Sequence, residues 1–214
     1  MEQQLLRVSS YYNANIDKII KIQSFIRMRY WLLPYLNIIK PLIKKLFERE
    51  KQKFIHQPTM FGDNSEENIK MLEIAFRQRQ KQMKEGDLAQ IVIGNWYGWE
   101  DLGTGHPSGL DCRKKDNSII MDSKNKYNTC NSGSEKSLLD KLSKYKKENP
   151  KTQCIWGIVN PKPGCKKLHK KIIHNDVQIE KIEGNELFKL VFSIGNINYS
   201  TQIINSVQYL ISKY

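Results

Sequence analysis

Residues 105–126, GHPSGLDCRKKDNSIIMDSKNK, constrain the fold more than any other stretch of the chain. Asp111 is followed by a charged, polar segment, Arg113 to Asn117. A short apolar run, Ser118-Ile119-Ile120-Met121, then leads directly into Asp122-Ser123-Lys124. Turn formers at Lys115-Asp116-Asn117 predict a hairpin that folds Asp111 back beside the second strand. Strand side chains alternate between faces, so Asp122 and Lys124 share one side while Met121 and Ser123 take the other. The pattern brings two carboxylates and an ammonium to one point. Two carboxylates make a hard-oxygen site suited to Mg²⁺. A lysine beside them can orient or activate a water, or stabilise charge on a phosphate.

The charge around this stretch is uneven. The whole chain of 214 residues is basic, at +13. Residues 61–123 carry 8 Lys/Arg against 11 Asp/Glu, whereas residues 124–171 carry 13 against 3. An acidic-leaning segment thus presents the carboxylates, and the most basic segment follows at once. That is the layout of a metal site beside a polyanion track. A solvated, lysine-rich face gives the same counts.

Four cysteines, Cys112, Cys130, Cys154 and Cys165, show no C-x-x-C spacing, and no signal-peptide pattern precedes them. We read them as reduced thiols of a soluble, intracellular protein, in preference to a zinc site with His169 or His174. The most apolar run, Tyr30 to Ile39, is broken by Pro34 and flanked by Arg29 and Lys40, which excludes a membrane span there.

The chain divides into a basic, helical N-terminal extension, residues 1–58, and a main domain, residues 59–214. Residues 14–53 have helical periodicity, with Pro34 and Pro41 as kinks or breaks. Residues 22–31, IQSFIRMRYW, are similar to the first half of an IQ motif, which makes 16–31 a candidate seat for a calmodulin-like partner. Packing on the main domain or on a second copy of the chain is the alternative. Ser65 or Asn64 caps a helix opened by Glu66 and Glu67, with an inner stripe of Ile69, Leu72, Ile74, Ala75 and Phe76, ending at Gly86. Glu73 on this helix is either a third metal carboxylate or a solvated side chain. Leu88–Gly94 is a strand or a further part of the helical core. Trp96 and Trp99 either stack on a base or close a core edge. Residues 135–148 form a helix with Leu138, Leu139, Leu142 and Tyr145 inward. Gln153–Asn160 is a buried strand, the lysines from 162 to 171 occupy a loop or short helix, and Val177–Ile182 is a strand. Helices over 183–194 and 199–213 complete an α/β (α+β) fold, a mixed central sheet flanked by helices.

Asp111 followed by Asp122-x-Lys124 in this order of elements resembles the PD-(D/E)XK nuclease superfamily. Gly109-Leu110-Asp111, and then DSKNKYNT (122–129) with Asn131-Ser132, resembles the type II restriction endonucleases that recognise GGNCC. The resemblance spans about residues 62–195. That family has glutamate where Asp122 stands, and the superfamily's proline before the first aspartate is Leu110 here. The resemblance implies a restriction-endonuclease-like core and Mg²⁺-dependent cleavage of double-stranded DNA that leaves 5′-phosphate ends. Asp111 and Asp122 would hold Mg²⁺, and Lys124 would position the attacking water. Asn125, Lys126, Tyr127, Asn128, Thr129, Asn131, Ser132 and Lys136 would contact DNA. A palindromic site implies a homodimer.

Overall fold

A computed structural model of the chain describes residues 28–49, 53–58, 60, 62–103 and 105–213. The chain forms two units, residues 1–38 and 39–214. Within the first, Met28–Leu32 make one π-helical turn that continues into helix α1 (Leu33–Glu48). Pro34 has no N–H to close a regular turn on Tyr30, which accounts for the widened turn just before it. Pro41 is accommodated inside α1. Most of the IQ-like stretch, and residues 14–27 of the predicted helix, lie outside the described residues.

In the second unit, Ile39, Ile43 and Leu46 make the buried stripe of α1. Residues 53–58 carry no regular structure. Helix α2 (Glu66–Gly94) is capped by Ser65, whose hydroxyl accepts from the Asn68 N–H at 3.3 Å. The helix runs straight through Gly86, so the predicted stop there is wrong. Helical residues on both sides carry the ladder across one glycine, at a cost of about 1 kcal/mol. Leu88–Gly94 is therefore helix, and the end is set at Asn95, whose backbone N–H and side-chain amide both donate to Ile91 O. The predicted inner stripe also needs correction: Leu72, Ile74 and Ala75 are exposed, and the helix buries Val92, Ile93 and Gly94 instead.

The central sheet is mixed and six-stranded, in the order β1-β2-β3-β4-β6-β5. Its strands are β1 (Trp99–Asp101), β2 (Cys112–Lys114), β3 (Ile119–Lys126), β4 (Gln153–Asn160), β5 (His169–His174) and β6 (Val177–Glu183). β3, β4 and β6 run parallel, and the remaining pairings are antiparallel. Helix α3 (Ser132–Glu148) makes the crossover from β3 to β4. Leu138, Leu139 and Leu142 of α3 pack with Ile120, Cys154, Trp156 and Ile158 on one face of the sheet. Helices α4 (Gly184–Val191) and α5 (Ser200–Ile211) follow, with a two-stranded ribbon, β7 (Ser193–Ile194) and β8 (Ile197–Asn198), between them.

Trp96 and Trp99 are 1% and 2% exposed, so they close the core and do not stack on bases. Trp96 meets Phe192 edge-on at 5.6 Å and Tyr199 at 5.8 Å. The lysine-rich segment is loop as far as Leu168, as predicted, but strand β5 takes its end from His169 onward. Its side chains are mostly exposed, and lysines suit an edge strand because they discourage pairing with another chain. Asn175 and Asp176, both at positive φ, make the two-residue turn into β6. Among the described residues, no helix is long and apolar enough to cross a membrane.

Candidate active site

The hairpin β2–β3 forms as the turn chemistry predicts. Asn117 takes φ 58°, and its N–H donates to Lys114 O at 2.9 Å. The register pairs Cys112 with Met121. Extending it by one residue sets Asp111 opposite Asp122, and the Asp111 N–H donates to Met121 O at 3.1 Å. Leu110 is buried in the core and its N–H donates to Ser108 Oγ at 3.2 Å, a bond that proline could not make.

Three charged side chains converge here. Asp111 Oδ2 accepts from the Ser123 N–H at 2.7 Å and from the Ser123 hydroxyl at 3.1 Å. The Asp111 carboxylate is thereby fixed to the residue between Asp122 and Lys124. Lys124 Nζ is ion-paired with Asp122 Oδ1. Asp122 is only 4% exposed, and burial, then the Asp111 charge, push its pKa above the ordinary carboxylate value. Burial disfavours the Lys124 ammonium, but Asp122 and then Asp111 outweigh it and raise its pKa. Lys124 is therefore a proton-holding cation at neutral pH, able to donate hydrogen bonds and unable to accept one.

Asp122 Oδ1 is a buried oxygen whose close neighbour is the Lys124 ammonium. Asp111 keeps its second oxygen, Oδ1, clear of the Ser123 bonds. Two hard oxygens on facing strands fit Mg²⁺, which takes one or two carboxylates and fills the remaining positions with water and phosphate oxygens. Among the described residues, no cluster of three or more acidic, histidine or cysteine side chains adds a further ligand. Glu73 in particular is held by Arg77 at 2.6 Å on the surface of α2. His169 and His174 pair with Glu180 and Asp140.

The other candidate residues separate into two groups. Asn125 is buried, donates to Glu85 Oε2 at 2.9 Å and accepts from Asn160 Nδ2 at 2.8 Å. It sits beside an apolar cavity of about 450 Å³ lined by Val92, Phe188, Phe192, Ile203 and Val207. Lys126 is half-buried, 3.8 Å from the same Glu85 carboxylate. Tyr127, Asn128, Thr129, Asn131, Ser132 and Lys136 are exposed beyond the end of β3 and on the first turns of α3. Asn131 Oδ1 caps α3 through the Ser134 N–H at 2.8 Å. Thr129 Oγ1 donates to Lys126 O at 2.7 Å.

Two residues near the site were not singled out from the sequence. Lys141 of α3 reaches Gly109 O at 3.5 Å, and its charge partly offsets the upward shift of Asp122. Glu85, rather than Glu73, is the α2 carboxylate that contacts β3. It lies three turns further along, beyond the spacing that a local helix pattern ties to the hairpin.

The family described as Eco47II restriction endonuclease matches residues 35–213. The chain belongs to this family. The match extends past both ends of the 62–195 stretch that carries the sequence resemblance, and takes in α1 from Tyr35 onward, all of α2 and the C-terminal helices. Membership carries the coarse activity with it: a restriction-type nuclease that acts on double-stranded DNA. No curated protein matches the chain.

Proposed function

We propose that the chain is a type II, Mg²⁺-dependent PD-(D/E)XK endonuclease that cuts both strands of a GGNCC-type site and works as a homodimer. The observation that carries this reading is the pair of hydrogen bonds that Ser123 donates to Asp111, which ties one carboxylate to the strand bearing Asp122 and Lys124. Asp111 and Asp122 would hold the metal. Bound there, Mg²⁺ would polarise the scissile phosphate and neutralise charge at the leaving 3′-oxygen. Lys124, kept protonated, donates to the attacking water and holds it in line with the phosphorus. The water oxygen bonds to phosphorus and its proton passes to bulk solvent, the bond from phosphorus to the 3′-oxygen breaks, and the leaving oxygen takes a proton from solvent, so that the products are a 5′-phosphate and a 3′-hydroxyl. The exposed set from Tyr127 to Ser132, with Lys136, offers neutral donors and acceptors to base edges and charge to the backbone. Lys126 joins it if Glu85 releases it. Asn125 supports the loop from inside through Glu85 and Asn160.

Digestion of DNA of known sequence with pure protein and Mg²⁺ tests this. Discrete fragments mapping to GGNCC sites, with 5′-phosphate ends that ligate, are expected. Absence of cutting, with DNA binding intact, would instead mark a non-cleaving DNA-binding protein on a nuclease fold.

A further inference from the structure

Helix α2 is 29 residues long, and its buried residues lie at the C-terminal end. Its first turns have two apolar faces. One faces residues 54–57: Phe76 meets Phe54 with the rings 5.7 Å apart, and Leu72, Ala75 and Arg79 line an open cleft with the same residues. Ile74 lies about 200° around the helix from Phe76. On that side Met71 is 63% and Ile74 56% exposed. A helix that is apolar on two sides belongs in contact on both.

The charges on the open face are ordered. Glu67 stands seven residues before Ile74 and Lys81 seven after. Seven residues are about two turns, so Glu67, Met71, Ile74, Gln78 and Lys81 form one line. Neighbouring charges on the helix are engaged, Glu66 with Lys70 at 2.7 Å and Glu73 with Arg77 at 2.6 Å. Glu67 and Lys81 make no ion pair among the described residues.

We infer that this face packs antiparallel on the same face of a second copy of the chain. A two-fold contact sets residue i against j and j against i. With the axis at Ile74, the two isoleucines meet and Glu67 of each copy faces Lys81 of the other. The face is self-complementary in charge as well as apolar at its centre, and that selects a second copy over an unrelated partner. The inference rests on the homodimer reading above and gives that dimer a surface. None of these residues belongs to the cleavage centre.

Sedimentation of the full chain tests it, with Ile74→Glu, Glu67→Lys, Lys81→Glu and an equimolar mixture of the two charge variants. Each charge variant should weaken the dimer about tenfold or more, since like charges then face each other at both ends, and Ile74→Glu should do the same, since two carboxylates then meet on the axis. The mixture should restore it, because in the mixed dimer both ends again pair opposite charges. Circular dichroism checks that each variant is folded. If the mixture stays monomeric, or Ile74→Glu dimerises as tightly as wild type, the surface is wrong while the homodimer reading stands. An Ile74→Glu variant that loses stability without changing mass means the same chain covers this face, which also overturns the surface. A wild type that is monomeric both free and on DNA overturns the homodimer reading and the surface together.

Discussion

Ser123 holds Asp111 twice, through its N–H at 2.7 Å and its hydroxyl at 3.1 Å, both on Oδ2. The backbone bond would survive a change of side chain and the hydroxyl bond would not. This relationship fixes the Asp111 carboxylate against β3, at the residue between Asp122 and Lys124. It also leaves Oδ1 of Asp111 available, so the positioning residue and a metal do not compete for the same oxygen.

Ser123→Ala should therefore loosen Asp111 without removing it. We expect a loss of about 1 kcal/mol in urea unfolding, the scale of one partly buried hydrogen bond. The cleavage rate should fall several-fold at low Mg²⁺ and recover at high Mg²⁺, because the defect is in carboxylate placement. A rate deficit that Mg²⁺ does not relieve would place the defect elsewhere.

Two glycines of α2 should respond with opposite signs. A Cβ on Gly86 would have nothing within 4 Å, so Gly86→Ala should stabilise the protein by about 0.5–1 kcal/mol. A Cβ on Gly94 would come within 2.7 Å of Asp101 Cβ and 2.8 Å of its Cα. Gly94→Ala must push β1 away from the end of the helix and should cost about 1–3 kcal/mol. Urea unfolding of both variants reads the two signs directly.

What the sequence made legible follows from local chemistry. The hairpin needed only Lys115-Asp116-Asn117 and the alternation that follows, and the end of α3 and β4 needed only periodicity and the Asn149-Pro150 stop, whereas α3 starts at Ser132, three residues before the predicted start, because Asn131 rather than Ser134 caps it. Gly86 misled because a single glycine is a weak stop when helix formers stand on either side. Ile74 misled because apolar periodicity cannot say which face is covered. Strand β5 was hidden because His169-Lys170-Lys171 has an edge strand's composition, which resembles a loop. The Asn175-Asp176 turn between Ile173 and Val177 was the signal that could have revealed it. The link between Glu85 and Asn125 crosses forty residues, and no local pattern encodes that.

Burial pushes the Cys154 thiol up to about 11 from its ordinary 9.0. An acid whose pKa is raised by folding keeps its proton longer in the folded state. The unfolded chain then binds fewer protons between the two values, and stability falls as pH rises through that window. Stability should be flat with respect to this group below pH 9, decline from about 9 to 11, and level off above. Cys154→Ala should remove that part of the alkaline decline, read as the difference between the two unfolding-versus-pH curves. Identical slopes for the two proteins would show that Cys154 does not titrate in this window.

The central claim is that Asp111, Asp122 and Lys124 form one DNA-cleaving centre. The most direct test is cleavage of DNA of known sequence by Asp111→Ala, with Mg²⁺, beside a mobility-shift measurement of binding to the same DNA. The account predicts discrete fragments from wild type, a rate at least about a hundredfold lower from Asp111→Ala, and binding within a few-fold of wild type. Asp111→Ala cutting the same sites at the wild-type rate would contradict it.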